Sequence, residues 1–313
     1  MDRLALFDSV KEVLTEAGFR VSERCDMRPV SFDAMAKKGD TTLVLKVLTN
    51  VDSFNDMIGD EMLGVANVLG ACPLTIGDRC GSGSLEDGAV YTRRKIPIMT
   101  LGTLREQFVD DLPPLVYAGP GGFYVNIDGE KLRESRLKQG LPLGGMSRIA
   151  GISKRSLRMY EEGMSTTVDV AANLEEYLGE TFALPLDPFV CPKDVAIDVD
   201  LGQFAGLEGS VFRYLNGIGY TVLPTARSPF NALARYADTA LLTGVGDYDK
   251  RLMKRAHIMS SISDVIERPA VICTRRVKGR KNLRGVPLVS RDELGRISGP
   301  EDLATLIEGR KLG

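Results

Sequence analysis

The feature that most constrains the fold is an internal similarity at a spacing of about 200 residues, too long for a solenoid repeat and suited to a duplicated domain. Near the start, SVKEVLTEAGFRV carries Leu14, Gly18, Phe19 and Val21 where SVFRYLNGIGYTV carries Leu215, Gly219, Tyr220 and Val222. In both, an amphipathic helix stops at glycine and a strand begins. SFDAMAKKGDTTLVLKV then faces PFNALARYADTALLTGV, which pairs Phe32 with Phe230, Ala34 with Ala232, Lys37 with Arg235, Asp40 with Asp238 and Leu43 with Leu241. Each stretch reads as two strands joined by a short turn. A helix follows (Asp56 to Leu69; Lys250 to Ile266), then a strand after Pro73 or Pro269, then a last strand at Ile96 to Thr100 or Val286 to Ser290. Each copy reads α-β-β-β-α-β-β-α, an α/β domain with helices over a mixed sheet. Tandem copies of this kind are expected to pack about a pseudo-twofold axis.

A chain of 313 residues with 43% hydrophobic residues supports two or three domains. The expected order is an α/β copy at 1–115, a hairpin connector at 116–130, an all-α module at 131–182, a linker at 183–203 and the second α/β copy at 204–313. YAGPGGFYVNIDG, in the connector, has turn signals around an alternating FYVNI. It lacks the GK[ST] ending of a Walker loop and the strand, helix and acid of a dinucleotide fingerprint.

Net charge is −2, so no overall positive field draws the chain to nucleic acid and any such contact is local. The five cysteines are scattered without a CxxC pair and read as reduced thiols, with neither a disulfide framework nor a zinc site indicated. MDRLALFDSVKEVL lacks the order of a signal peptide and no run of 18 apolar residues occurs. The expectation is a cytoplasmic protein with no membrane contact and no cofactor. His257 is the only histidine, which gives histidine-dependent catalysis little support.

From Lys131 the pattern turns helical. KLRESRLKQG reads as a first helix with Leu132, Ser135 and Leu137 toward the inside and Gly140 as its stop. Pro142 opens a second helix whose Leu143, Met146, Ser147 and Ala150 fall at i, i+3, i+4 and i+7, and Gly151 ends it. The short interval between Ser147 and Ile152 leaves room for a tight turn and little else. Ser153 is a good N-cap for a third helix, Lys154 to Glu162, which turns Leu157 and Tyr160 or Glu161 inward and leaves Lys154, Arg155, Ser156 and Arg158 on the other side.

These residues resemble the Cro/C1 (XRE-type) helix-turn-helix. Arg136, Gly140, Gly151, Ser153, Tyr160, Glu161 and Gly163 sit where that pattern expects them. The resemblance implies that Arg136 and Glu161 form a structural ion pair and that the third helix reads DNA. Pro142, Gly144, Gly145 and Ser147 depart from the pattern, and two adjacent glycines cost a helix about 1 kcal/mol each relative to alanine. The usual glutamine at the start of the second helix is also missing, so positioning on the phosphates falls to Arg148 or Lys138.

Between Lys131 and Gly163, eight bases face three acids, a net charge of +5 that leaves −7 for the rest of the chain. That polarity suits a module that neutralises phosphates. Arginine can donate two parallel hydrogen bonds to guanine, so Arg155 and Arg158 are the candidate base readers, with Lys154, Ser156 and the capping Ser153 at phosphate or a neighbouring base. One module covers few base pairs, so a homodimer on a partly palindromic double-stranded site is expected. A second basic cluster, Arg275, Arg276, Lys278, Arg280, Lys281 and Arg284, reads as a solvated hairpin tip or an auxiliary phosphate contact.

The first α/β copy resembles the PD-(D/E)xK nuclease fold, with Glu12, Gly18-Phe19, Asp33 and LVLKV in the expected order. Asp33 and Lys46 fit the active pattern, but Val44 stands where the second acid belongs; in the second copy Asn231 replaces the aspartate and Leu242-Thr243-Gly244 the acid-x-lysine. Valine can neither hold Mg2+ nor activate water, so a degenerate nuclease-like fold is expected. Taken whole, the chain resembles archaeal HTH-type transcriptional regulators. The reading is therefore a non-enzymatic regulator whose α/β domains dimerise, sense an unidentified small-molecule effector or recruit a partner. The alternatives are a Mg-dependent structure-specific nuclease using Glu12, Asp33, Asp40 and Lys46, and a non-catalytic protein-interaction scaffold.

Overall fold

The computed structural model describes residues 2–81, 83–189, 191, 199–277 and 279–311. Its strands form two mixed sheets flanked by helices. The chain divides into two compact units, one made of residues 1–13, 49–51 and 76–188, the other of residues 14–48, 52–75 and 189–313. Among the described residues no helix is long and apolar enough to cross a membrane.

In the larger unit, Arg20–Val21 pairs antiparallel with Ala34–Lys38, and that strand with Thr41–Asn50, through a turn at Gly39. The six-stranded sheet repeats this arrangement. Thr221–Pro224, Ala232–Tyr236 and Thr239–Val245 pair antiparallel in turn, then Ala270–Thr274 and Val286–Ser290 add in parallel, and Asn282–Leu283 closes the edge. The register also agrees: Ala34 faces Leu45 as Ala232 faces Thr243, and Lys38 faces Thr41 as Tyr236 faces Thr239. Two further bonds recur. Asp33 N donates to Leu45 O (2.7 Å) and Asn231 N to Thr243 O (2.8 Å), while Val47 N donates to Asp33 Oδ2 and Val245 N to Asn231 Oδ1, both at 2.8 Å.

Two of the helices form at the bounds the sequence pattern predicts. Asp56–Leu69 is capped by Asn55, whose side chain accepts from Ile58 N, and it stops at Gly70 in the left-handed region. Lys250–Ile266 is capped by Asp249 on Leu252 N. The Phe32 and Phe230 rings, both fully buried, lie 6.1 Å apart between centroids. Glu61 on the first of these helices accepts from Ala226 N (3.1 Å), Arg227 N (2.9 Å) and the Ser228 hydroxyl (2.6 Å). At the end of the second, Glu267 takes Arg20 and Lys37 at 2.5 Å each.

The cysteines require a correction. Cys72 and Cys191 are joined by a disulfide across 119 residues of chain, so not all five are reduced thiols. That separation hides the pair from any reading of local spacing. Cys25 and Cys273 are buried, and burial pushes the Cys273 thiol up to about 12.

In the smaller unit, the strands run in the order Cys72–Cys80, Ile96–Met99, Ala89–Arg93, Val116–Gly119, Gly122–Ile127 and Thr166–Thr167. Val116–Gly119 and Gly122–Ile127 form the expected hairpin. Gly122–Ile127 also takes Thr166–Thr167 and Ala183–Leu184 as antiparallel partners. Its Val125 and Ile127 are buried with Leu132, Met146, Leu157, Leu174 and Phe182 in one core. The hairpin thus supplies a wall of the helical module's core as well as a chain connection.

Candidate nucleic-acid interface

Three helices build the site. Gly129–Lys138 is capped by Asp128, whose carboxylate accepts from Lys131 N (3.0 Å). Leu143–Ile149 begins after Pro142 and gives way to Gly151 at φ +66°, a left-handed conformation open to glycine at little cost. Lys154–Glu161 is capped by Ser153, whose hydroxyl accepts from Ser156 N (2.9 Å). The turn between the last two helices is fixed by Ile152 N donating to Ser147 O at 2.9 Å.

Leu132, Ser135, Arg136, Met146, Ser147, Ala150 and Leu157 are buried, Tyr160 is half-buried. Leu137 was expected inside but is 56% exposed. Leu132 and Arg136 lie four residues apart on one face, which turns Leu137 outward.

Arg136 and Glu161 form the expected ion pair with both side chains 7% exposed. Nε and Nη2 donate to the two carboxylate oxygens at 2.5 and 2.9 Å, and Nη1 donates to Leu141 O at 2.8 Å. The bond to Glu161 raises the arginine's pKa against the opposing effect of burial. The pair clamps the first helix to the end of the third and to the turn before the second.

The bases expected at DNA are placed as follows. Lys154, Arg155 and Arg158 are exposed on the third helix, which is anchored by the fully buried Leu157. Ser156 is half-buried, with its hydroxyl 2.9 Å from that of Ser153, so both serines serve the cap. Lys138 is exposed in the last turn of the first helix. Arg148 is exposed on the second, its Nε donating to Gly144 O at 3.1 Å. The N-terminal end of the third helix therefore carries cations together with the positive end of the helix dipole.

Two glycines acquire roles the sequence did not disclose. A Cβ on Gly129 would lie 2.4 Å from Tyr160 O and 2.7 Å from Glu161 O, so the first helix starts in backbone contact with the end of the third. A Cβ on Gly144 would lie 2.7 Å from Lys154 Cε, which makes that glycine the groove over which the Lys154 stem runs. The helix Val168–Leu178 adds Ala171, Leu174 and Leu178 to the core and ends at Gly179, φ +69°. Its apolar spacing and terminal glycine were the signals that could have found it.

In the second basic cluster Arg275, Arg276, Arg280, Lys281 and Arg284 are exposed; Lys278 lies outside the described residues. Arg280 donates to the Tyr248 hydroxyl at 2.7 Å and lies over that ring, and Arg275 faces Asp247 at 3.7 Å.

Two residues of the nuclease pattern lie together and Asp40 stands apart from them. Asp33 and Lys46 are buried 3.8 Å apart, and Lys46 Nζ donates to Val30 O at 2.8 Å. Val44 is fully buried. Asp40 is exposed in the turn at the other end of the strand pair, seven residues from Asp33 and so about 20 Å away along the strand. Glu12 is exposed on the helix Arg3–Glu16. Among the described residues no group of three or more His, Cys, Asp or Glu side chains is placed to hold a metal ion.

A nuclease-like α/β segment joined to a helix-turn-helix defines the class, and comparison with known proteins agrees. Residues 3–114 match a PD-(D/E)XK superfamily domain and residues 132–184 a helix-turn-helix domain. A protein of Natronomonas pharaonis named "Putative HTH-type transcriptional regulatory protein" is 37% identical over 100% of both chains. Relatives with the same designation in Methanococcoides burtonii and Haloquadratum walsbyi are each 38% identical, over 97% and 99% of this chain and 96% and 98% of their own. The chain belongs to this family of HTH-type transcriptional regulatory proteins, known here from archaea. No solved structure matches it.

Proposed function

We propose that the protein is a sequence-specific DNA-binding transcriptional regulator that lays the helix Lys154–Glu161 in the major groove. The observation that carries this is the exposure of Lys154, Arg155 and Arg158 on a capped helix anchored by Leu157. Arg155 and Arg158 read base edges, while Lys154, Lys138 and Arg148 contact phosphates. Ser153 and Ser156 hold the helix end that approaches the backbone. Arg275, Arg276, Arg280 and Lys281 supply an auxiliary phosphate contact. The relatives' designations support the regulatory reading.

The flanking segments are duplicated α/β domains at 1–115 and 204–313, with the module at 131–182 between a connector (116–130) and a linker (183–203). The common strand register and the shared bonds of Asp33 and Asn231 support the duplication. The protein acts as a homodimer on a partly palindromic site in the cytoplasm, and its α/β domains sense an effector. It is not an enzyme: Val44 offers no ligand to Mg2+, and Asp33 is committed to Val47 N and Lys46. Mg2+-dependent cutting of branched or linear DNA that disappears in Asp33→Ala would refute that part.

The experiment is recovery of bound fragments from genomic DNA by the full chain, followed by sequencing. The proposal expects a shared, partly palindromic motif with half-sites about one helical turn apart. Fragments with no common motif would refute it.

A further inference from the structure

We propose that the second α/β segment holds a binding pocket for a small anionic metabolite, a carboxylate or a phosphate ester, received by Arg255 and Arg251. This deepens the reading that the α/β domains sense an effector and rests on it. The pocket is a cavity of about 550 Å³, within the range that holds small ligands. It opens beside Asn231, the residue that takes the place of Asp33 in strand register and backbone bonding.

At this point the two segments diverge. In the first, the matching position is closed, with a buried carboxylate and a buried ammonium 3.8 Å apart. In the second, Gly244 stands where Lys46 would be and Asn231 carries no charge. The cation comes instead from the helix Lys250–Ile266, as Arg255, whose Nη1 donates to Asn231 Oδ1 (2.5 Å) and Val245 O (3.1 Å). Both acceptors are neutral, and Arg255 Nε has no acceptor among the described residues. Burial first, and Arg251 second, lower the pKa of Arg255, while the Glu208 and Asp249 carboxylates act in the opposite direction.

Three carboxylates share the wall with the two arginines, each with a partner of its own. Glu208 accepts from Asn231 Nδ2 at 2.8 Å, Asp249 caps the helix on Leu252 N at 2.6 Å, and Asp247 faces Arg275. The Ala226–Ser228 side of the pocket is fixed by its three bonds to Glu61, so the cavity is formed before a ligand arrives.

The test is calorimetric titration of the full chain, without DNA, with inorganic phosphate, with succinate and with glucose as a neutral control. We expect one site for phosphate or for succinate and none for glucose; the anion that binds identifies the source chemistry. Arg255→Ala should weaken binding about tenfold or more, and Arg251→Ala, at an exposed position that the fold tolerates, severalfold. Absence of binding by both anions overturns the proposal, as does binding that both variants leave unchanged. Loss of anion binding in Arg155→Ala with Arg255→Ala unaffected also overturns it. Because no DNA is present, failure of the pocket and failure of the DNA-binding reading are separate results.

Discussion

Phe32 and Phe230, which hold matching places in the two α/β segments, meet ring to ring with their centroids 6.1 Å apart. Under a twofold relation a residue touches its own counterpart only at the axis, so this contact marks where the axis of a duplicated pair would pass. Both rings are fully buried. Phe32→Ala and Phe230→Ala should each cost about 3 to 5 kcal/mol in chemical denaturation. The double variant should depart from the sum of the two by about 0.5 kcal/mol or more, because the two changes share one cavity. Strict additivity would separate the two rings energetically.

The Arg136–Glu161 pair holds the helical module together. Arg136→Ala leaves a buried carboxylate without its partner and should cost about 3 to 5 kcal/mol. Replacing both partners, Arg136→Met with Glu161→Leu, should recover most of that loss, since two apolar side chains leave no charge buried. Melting of the three proteins by circular dichroism checks the order: wild type and double variant above the single variant.

Glycines in the module should respond in opposite directions. Gly129→Ala places a methyl group against Tyr160 O and should destabilise by about 1 to 3 kcal/mol. Gly145 lies inside a helix, where its nearest neighbours are the Pro142 ring carbons at 3.4 Å. Gly145→Ala should therefore stabilise by about 1 kcal/mol or somewhat less, through helix propensity. Urea titrations of the two variants measure both signs.

A separate device near the end of the chain gives a pH dependence. Glu293 accepts from Arg310 Nη2 at 2.6 Å and completes a capping box with Ser290. Arg310 in the first place holds its pKa at about 2, down from 4.5. A carboxylate lowered on folding contributes stability above its unfolded pKa and loses it as pH falls through the folded value. The contribution should be complete above pH 4.5 and fade toward pH 2. Glu293→Gln should flatten stability against pH in that window and leave the slope above it unchanged.

Much of this was legible because the signals are local. Asp56–Leu69 and Lys250–Ile266 carry Asn55 and Asp249 before their apolar periods, and both helices appear at the expected bounds. The turn at Gly151 and the cap at Ser153 were equally readable, since each is decided by a few neighbouring residues. What escaped depends on residues far apart in the chain. Gly129 matters because the chain returns to it at Tyr160, and Cys72 meets Cys191 only in the fold. Arg255 reaches Asn231 across 24 residues, from a helix whose pattern reports only its apolar side. Leu137 shows the opposite error: an apolar residue is not an inward one when Arg136 has the inner position.

A salt titration of the best recovered fragment tests the proposed base contact of Arg155. Binding of wild type should weaken steeply with salt, as counterions are released from the phosphates. Arg155→Ala should cost about 1 to 3 kcal/mol on that fragment, relax the preference at one position of the site and leave affinity for unrelated DNA nearly unchanged. A loss of equal size on every sequence would make Arg155 a phosphate contact and contradict the account, and an affinity indifferent to salt would remove DNA from it altogether.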